Sequence, residues 1–347
     1  MTTYEDSGVN IELGDECSAR AYAHAKSTFP SRTGMLGQAV TLEGGFSGAQ
    51  DMGDYYLTHN SDGVGSKAVV AQALGKYDTL GWDLLAMVLD DTVCMGAETL
   101  SITNTLDTAK VDPIVTDALL KGLAEACLSQ KVIIAGGEIA ELPGMVNGFT
   151  WNASSIGVVA KDRMIVGDKV QVGDKIIGLG SRGFRSNGLS LVRKILTDAF
   201  GEDWAHEPYG DGMNWGEAVL VPSRLYSACV LDMIGRFGQP AQVEVHGIAH
   251  ITGGGIHNLN RVLKKNKLGA RLQNLFKPLP VMQKLQELGQ VSDEEAYKTW
   301  NMGTGMVLVL PESEVSKALE IAAEHEIPAQ VVGEVTAESG LRGFLLG

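Results

Sequence analysis

The chain has 347 residues, 44% hydrophobic and 20% charged, which is enough to bury two cores of ordinary size and too balanced for a disordered chain. A formal net charge of −14 repels phosphate backbones and the densest basic run, Lys264, Lys265 and Lys267, is short, so no nucleic-acid partner is expected. There is no apolar run near the ~18 residues of a membrane span and no signal peptide in the acidic residues 1–6, while Cys17, Cys94, Cys127 and Cys229 are too scattered for a zinc knuckle or redox pair, which predicts a cytoplasmic protein with no membrane partner.

In chain order, residues 55–60 read as a strand, 61–67 as a loop and 68–74 as an alanine-rich helix. A helix is expected at 82–95, with Leu84, Leu85, Met87 and Val88 on its buried side, and a strand at 100–106. Asp112-Pro113 supplies a cap and a first-turn proline for a helix reaching about Gln130. Residues 132–135 read as a buried strand and 155–160 as the last strand of this half. Charge and glycine mix over 161–174, where the boundary is placed, giving domains 1–165 and 166–347. The second half predicts strands at 175–180, 243–250, 306–310 and 329–335. Its helices fall at 189–200, near 223–236, after 252–255 and at 313–325, and Ser292-Asp293-Glu294-Glu295 has the form of a capping box. Alternating strands and helices predict an α/β protein of mixed α+β layers.

The sharpest chemical signal is Asp62-Gly63-Val64-Gly65-Ser66-Lys67 between a strand and a helix. Glycines at 63 and 65 let backbone amides approach an anion, and Lys67 and the helix N-terminus add positive potential. Asp62 has the wrong sign for phosphate, which points to a bridging Mg²⁺; the same pattern also fits a tight turn with a cap and a surface salt bridge. No Walker loop occurs. Asp90 and Asp91 are adjacent on a helix, about 100° apart, so one can face a metal while the other meets solvent or caps backbone. Glu98 and Glu138 could bring further oxygens. Glycines 44, 45 and 48 lie in a segment that reads either as a loop closing over a nucleotide or as a linker. Ser186-Asn187-Gly188 and Thr252-Gly253-Gly254-Gly255 each precede a helix and offer free amides to an anion. His246 or His250 could line the cleft, without zinc-binding spacing, and the Met and aromatic residues of 300–306 read as core.

Taken with Tyr4-Glu5-Asp6-Ser7-Gly8-Val9, Gly96-Ala97-Glu98, Gly136-Gly137-Glu138, Glu141-Leu142-Pro143-Gly144, His246-Gly247, His250-Ile251-Thr252 and Asn301-Met302-Gly303, these motifs resemble the aminoimidazole ribonucleotide synthetase family, also called phosphoribosylformylglycinamidine cyclo-ligase. The resemblance implies a two-domain synthetase fold with an N-terminal ATP-binding and dimerisation domain, whose strands form a barrel across a homodimer, and a C-terminal α/β domain. It implies ATP-dependent cyclisation of formylglycinamidine ribonucleotide, a small phosphoribosyl substrate, to aminoimidazole ribonucleotide in purine biosynthesis. Asp62, Lys67 and Asp91 would be catalytic, with Asp62 and Asp91 holding Mg²⁺. Gly44, Gly45, Gly48, Gly63, Gly65, Ser66, Lys67 and Glu138 would bind ATP. Ser186, Asn187, Gly188, Thr252, Gly253, Gly254 and Gly255 would bind the substrate's ribose phosphate. Asn104, Ile139 and Arg185 depart from the family pattern and are expected around the nucleotide or substrate face. Another ATP-dependent enzyme of the superfamily with a changed amide or amine substrate, or a silent nucleotide-binding subunit, are the alternatives.

Overall fold

The computed structural model describes residues 3–42 and 45–343. Helix α1 (Ile11–Thr28) comes first, its described side chains largely exposed. The first half then builds one six-stranded sheet from β1 (Gln38–Val40), β2 (Gly48–Asp51), β3 (Tyr55–Gly63), β4 (Glu98–Thr108), β5 (Ile133–Glu141) and β6 (Phe149–Ala160), in the order β1-β2-β3-β6-β4-β5. Helices α2 (Lys67–Leu74), α3 (Leu80–Val93) and α4 (Pro113–Gln130) cover one face. Asp112 caps α4 through the amides of Ile114 and Val115, as the Asp-Pro pair predicts.

After residues 161–174 the second half forms its own six-stranded sheet. In chain order its elements are β7 (Lys175–Gly180), α5 (Leu189–Phe200), β8 (Pro208–Gly210), β9 (Met213–Asn214), α6 (Trp215–Leu220), α7 (Ser227–Ile234) and β10 (Gly247–His250). They continue with α8 (Asn260–Leu263), β11 (Gly269–Leu272), α9 (Pro280–Gly289), α10 (Asp293–Thr299), β12 (Thr304–Leu310), α11 (Val315–Glu324), β13 (Ala329–Thr336) and β14 (Gly340–Arg342). The sheet order is β10-β12-β7-β13-β11-β14, and β8 and β9 pair separately. β12, buried along its whole length, sits inside this sheet, and Trp300, Met302 and Met306 join the core as expected.

Helix α3 is the joint between the halves. It packs on β3, β4 and β6 of its own sheet and on α7 and β10 of the other half. Twelve of its fourteen residues are buried, so the expected apolar stripe is in fact a helix covered all round. That burial extends to Asp83 and Asp90.

Two expectations change here. Residues 132–135 do form a strand, but beyond Val132 it is exposed: β5 lies at the sheet edge with Ile133 65% accessible. At Ser292 the hydroxyl accepts from the Glu295 amide, yet the Glu295 carboxylate takes the Tyr4 amide at 2.9 Å instead of closing the box. A reciprocal capping box forms at Asn214 and Glu217.

Helices α3 and α4 cross so closely that a methyl group on Gly81 would fall inside contact distance of the Leu123 and Gly122 backbone, and one on Gly122 would meet the Asp78 carbonyl. Because backbone cannot yield as a side-chain tip can, Gly81→Ala should lower unfolding free energy by about 3 kcal/mol or more in urea titration. Gly14→Ala, where α1 leaves open space, should stay within about 1 kcal/mol of the parent chain.

Candidate active site

β3 ends at Asp62 and Gly63, and α2 begins four residues later at Lys67, so the chain turns sharply at residues 64–66. Asp62 Oδ1 accepts the Gly63 amide at 2.7 Å. Beside it on α3, Asp91 receives the Asn60 side-chain amide at 3.3 Å, and its other oxygen lies 2.8 Å from His250 Nδ1. Burial pushes Asp62 up to about 6 against the Gly63 hydrogen bond, and the charge of Asp91 adds to the rise. Burial likewise pushes Asp91 up to about 7, with Arg261, Asn60 and Arg185 opposing it. These are two neighbouring carboxylates without a directly paired lysine or arginine among the described residues. His250 is fully buried and held well below its ordinary value by that burial, which favours the neutral ring, and its Nε2 has no hydrogen-bond partner among the described residues.

The second half closes on this pair with both of its expected loops. A methyl on Gly65 would touch the Ser186 carbonyl at 3.5 Å, and the Ser66 and Ser190 hydroxyls lie 3.4 Å apart. A methyl on Gly253 would touch Asn187 Oδ1 at 3.5 Å, while Asn258 ties the loop together by donating to Thr252 Oγ1 and the carbonyls of His250 and Gly253. Gly188 has φ 72° and lies against Trp300, whose indole N–H donates to its carbonyl; the site admits no side chain. Gly255, at φ 55°, abuts the Tyr297 backbone in the same way. The Tyr4 hydroxyl reaches the Gly188 backbone, so the opening motif buttresses this loop. The Ser186 hydroxyl is buried without a partner among the described residues.

Residues 45–50 border a cavity of about 1100 Å³ that His59, Asn60 and Ser61 of β3 and Ser154 and Ser155 of β6 also line. Gly45 and Gly48 are on its wall; Gly44 lies outside the described residues. Asn60 joins the two regions, since it lines the cavity and also binds Asp91.

Other expected residues go elsewhere. Lys67 does not face the loop: its side chain is fully buried, and the ammonium donates to Asp83 Oδ1 at 2.8 Å and to the Val221 carbonyl at 2.9 Å. Burial pushes that ammonium down and Asp83 opposes the shift. The salt-bridged turn is therefore the correct reading for Lys67, although the bridge is interior. Asp90 does not meet solvent; it pairs with Arg185 at 2.6 Å and, as the backbone-capping alternative expects, accepts the Tyr226 amide at the start of α7. Arg185 lies over the Tyr226 ring; burial is the largest influence and works against its charge, but Asp90, Tyr226 and Asp83 together hold it above its ordinary value. Asn104 is buried and accepts the Trp151 indole N–H. So Arg185 and Asn104 belong to the interior, not to the substrate face, and Ile139 lies on the exposed edge strand. Glu98 pairs with Arg236 at 2.7 Å and caps Phe237, and His246 pairs with Asp174; neither joins the cleft.

Glu138 shares a register row with Thr105, Asn152 and Gly63. Three strand spacings separate it from Gly63, roughly 14 Å, so within one chain it does not reach Asp62. Sequence reasoning missed Asn60, Asp83 and Arg261, which carry no motif signal because each acquires its role from a partner elsewhere in the chain, while Phe46 lies in the glycine segment expected to close over a nucleotide without being singled out itself.

If Lys67 is structural, Lys67→Met should leave the Asp83 carboxylate buried and unpaired, costing about 3–5 kcal/mol in denaturant unfolding. The double variant Lys67→Met, Asp83→Leu should recover most of that loss. Nucleotide affinity of the folded fraction should stay within about threefold; a drop of about 100-fold would return Lys67 to the phosphates.

Family models described as "AIR synthase related protein", N-terminal and C-terminal domains, match residues 46–159 and 171–345. The phosphoribosylformylglycinamidine cyclo-ligase of Methanocaldococcus jannaschii is 37% identical over 99% of this chain and 95% of its own length. That of Thermococcus kodakarensis is 37% identical over 99% and 98%. Among solved structures, a thiamine-monophosphate kinase from Stenotrophomonas maltophilia superposes with a TM-score of 0.58 at 14% identity, covering 92% of this chain and 95% of that one, and so shares the fold. With both halves matched and relatives at this identity from end to end, the chain belongs to the phosphoribosylformylglycinamidine cyclo-ligase family.

Proposed function

We propose that the cleft at the joint of the two halves carries out ATP-dependent cyclisation of formylglycinamidine ribonucleotide to aminoimidazole ribonucleotide, releasing ADP and phosphate. One observation carries this: the loops at 62–66, 186–188 and 252–255 converge on Asp62 and Asp91, next to a cavity large enough for a nucleotide. Loops at 186–188 and 252–255 present glycine backbone and a buried, partnerless Ser186 hydroxyl, which suits a ribose phosphate held by amides and hydroxyls.

The chemistry follows from the leaving group. An amide oxygen leaves poorly, but once it carries a phosphoryl group the adjacent carbon accepts attack by the internal nitrogen, and phosphate departs. Holding both ends of one flexible substrate converts ring closure into a favourable intramolecular step. ATP bound in the cavity next to the carboxylates would bring its terminal phosphates beside that oxygen, and the loop at 45–48 would limit water there.

Two adjacent carboxylates, each raised by burial and short of a cation, fit Mg²⁺, which takes one or two protein carboxylates and fills its remaining positions with phosphate and water. Asp62 and Asp91 would hold it, with Asn60 and His250 fixing Asp91. When bound, the ion supplies charge neutralisation to the phosphates.

The same reading extends to a homodimer in which two N-terminal sheets close into one barrel. β5 leaves an unpaired edge that carries exposed Ile133 and Ile139, and Met145 just beyond it is 82% accessible. Across such a junction Glu138 would approach the nucleotide of the opposite sheet, which it cannot do in its own.

Purified protein given Mg-ATP and formylglycinamidine ribonucleotide should release phosphate and aminoimidazole product together. Asp62→Asn should lower kcat at least about 100-fold with an unchanged melting temperature; near-normal turnover would remove Asp62 from the site. Separately, Ile133→Glu with Ile139→Glu should shift the sedimentation coefficient from dimer to monomer while preserving the far-UV spectrum, and a monomeric parent chain would refute the barrel.

A further inference from the structure

The cations nearest the carboxylates are mostly engaged inside the protein. Lys67 belongs to Asp83 and Arg185 to Asp90, while Arg182 donates to the carbonyls of Pro222 and Ser223. An anionic nucleotide entering an acidic chain still needs a facing positive charge. Arg261 on α8 supplies one.

Its guanidinium carbon lies 4.6 Å from the centroid of the Phe46 ring, and its charge acts on both Asp91 and His250. Phe46 is itself firmly seated. It packs against three hydrophobic clusters where the halves meet, its amide donates to Met95 Sδ at 3.3 Å, and it lines the nucleotide-sized cavity. Arg261 is exposed, and among the described residues no hydrogen bond or ion pair occupies its N–H groups. Stacking on a ring fixes the plane of a guanidinium while leaving its edge donors free, the presentation that bidentate phosphate binding requires.

We infer that Arg261, stacked on Phe46, binds the terminal phosphates of ATP and takes the role that its place in the glycine motif suggested for Lys67. The inference rests on ATP binding in this cleft. ATP is favoured over the substrate's phosphate because Phe46 borders the nucleotide cavity and Asp91 belongs to the carboxylate pair.

Calorimetry on full-length protein with Mg²⁺ and the β,γ-methylene analogue of ATP, with ADP, and with AMP tests this. Arg261→Ala should weaken the analogue about 30-fold and leave AMP within about threefold, the range of a charge-assisted pair. Arg261→Lys should recover only part, since an ammonium binds one oxygen at a time. Phe46→Leu should fall between parent and Arg261→Ala, and adding it to Arg261→Ala should weaken the analogue no further. Equal weakening of the analogue and AMP would mean a structural role and overturn the inference. So would unchanged analogue affinity, with or without a rise in KM for formylglycinamidine ribonucleotide. A parent protein that binds the analogue with these dependences but makes no aminoimidazole product would overturn the cyclo-ligase reading alone.

Discussion

Three carboxylates on one buried helix organise this protein. Asp83 and Asp90 are seven residues apart on α3, which brings them to the same stripe two turns apart; Asp91 is rotated by about 100°. Isolated charges in such a helix would be prohibitive to bury, so Asp83 and Asp90 each draw in a cation from another element: Lys67 from α2, and Arg185 from the loop before α5. Both pairs also bind backbone of the second half, through the Val221 carbonyl and the amides of Ser223 and Tyr226. They therefore fix the two halves against each other. Asp91, turned toward β3 and β10, keeps no such cation and is left to face the cleft beside Asp62.

That constraint explains why the site residues were only partly legible. The loops were readable because glycine runs before helices announce close backbone approach whatever surrounds them, and residues 62–66, 186–188 and 252–255 do converge. Lys67 was misread because its motif looks the same whether its ammonium faces a phosphate or a carboxylate sixteen residues on. Asp90 and Asp91 could be told apart in direction by helix geometry, but which of them turned inward depended on Arg185, ninety-five residues further along. Position 185 illustrates the hazard of judging a departure by its motif. Beside the Ser186-Asn187-Gly188 loop in sequence, it is inside the joint in space.

The fold was more legible than the site, since strand and helix periodicity are local. β7 and α5 match their expected bounds, and α2, α4, β12 and β13 lie within two residues of theirs. β5 fails in an instructive way. An apolar run such as Val132-Ile133-Ile134-Ala135 reads as buried whether or not its own sheet covers it, and here Ile133 and Ile134 stay exposed on an edge strand. Sequence shows that such a strand wants cover, without saying from where.

An acidic chain with most of its nearby cations committed to its interior has to bind anions by other means. Backbone amides at glycine-rich turns carry partial positive charge that no internal carboxylate can neutralise, because their geometry is fixed by the fold. A carboxylate pair that burial makes reluctant to stay charged would, with the proposed divalent ion between them, reverse the local sign. An arginine held on an aromatic face, with no carboxylate in direct ion pair with it among the described residues, keeps its donors for a ligand. Each device separates the charges that hold the halves together from those that meet phosphate. This separation lets the joint be rigid and fully neutralised while the cleft beside it remains electrostatically unfinished until nucleotide and substrate arrive.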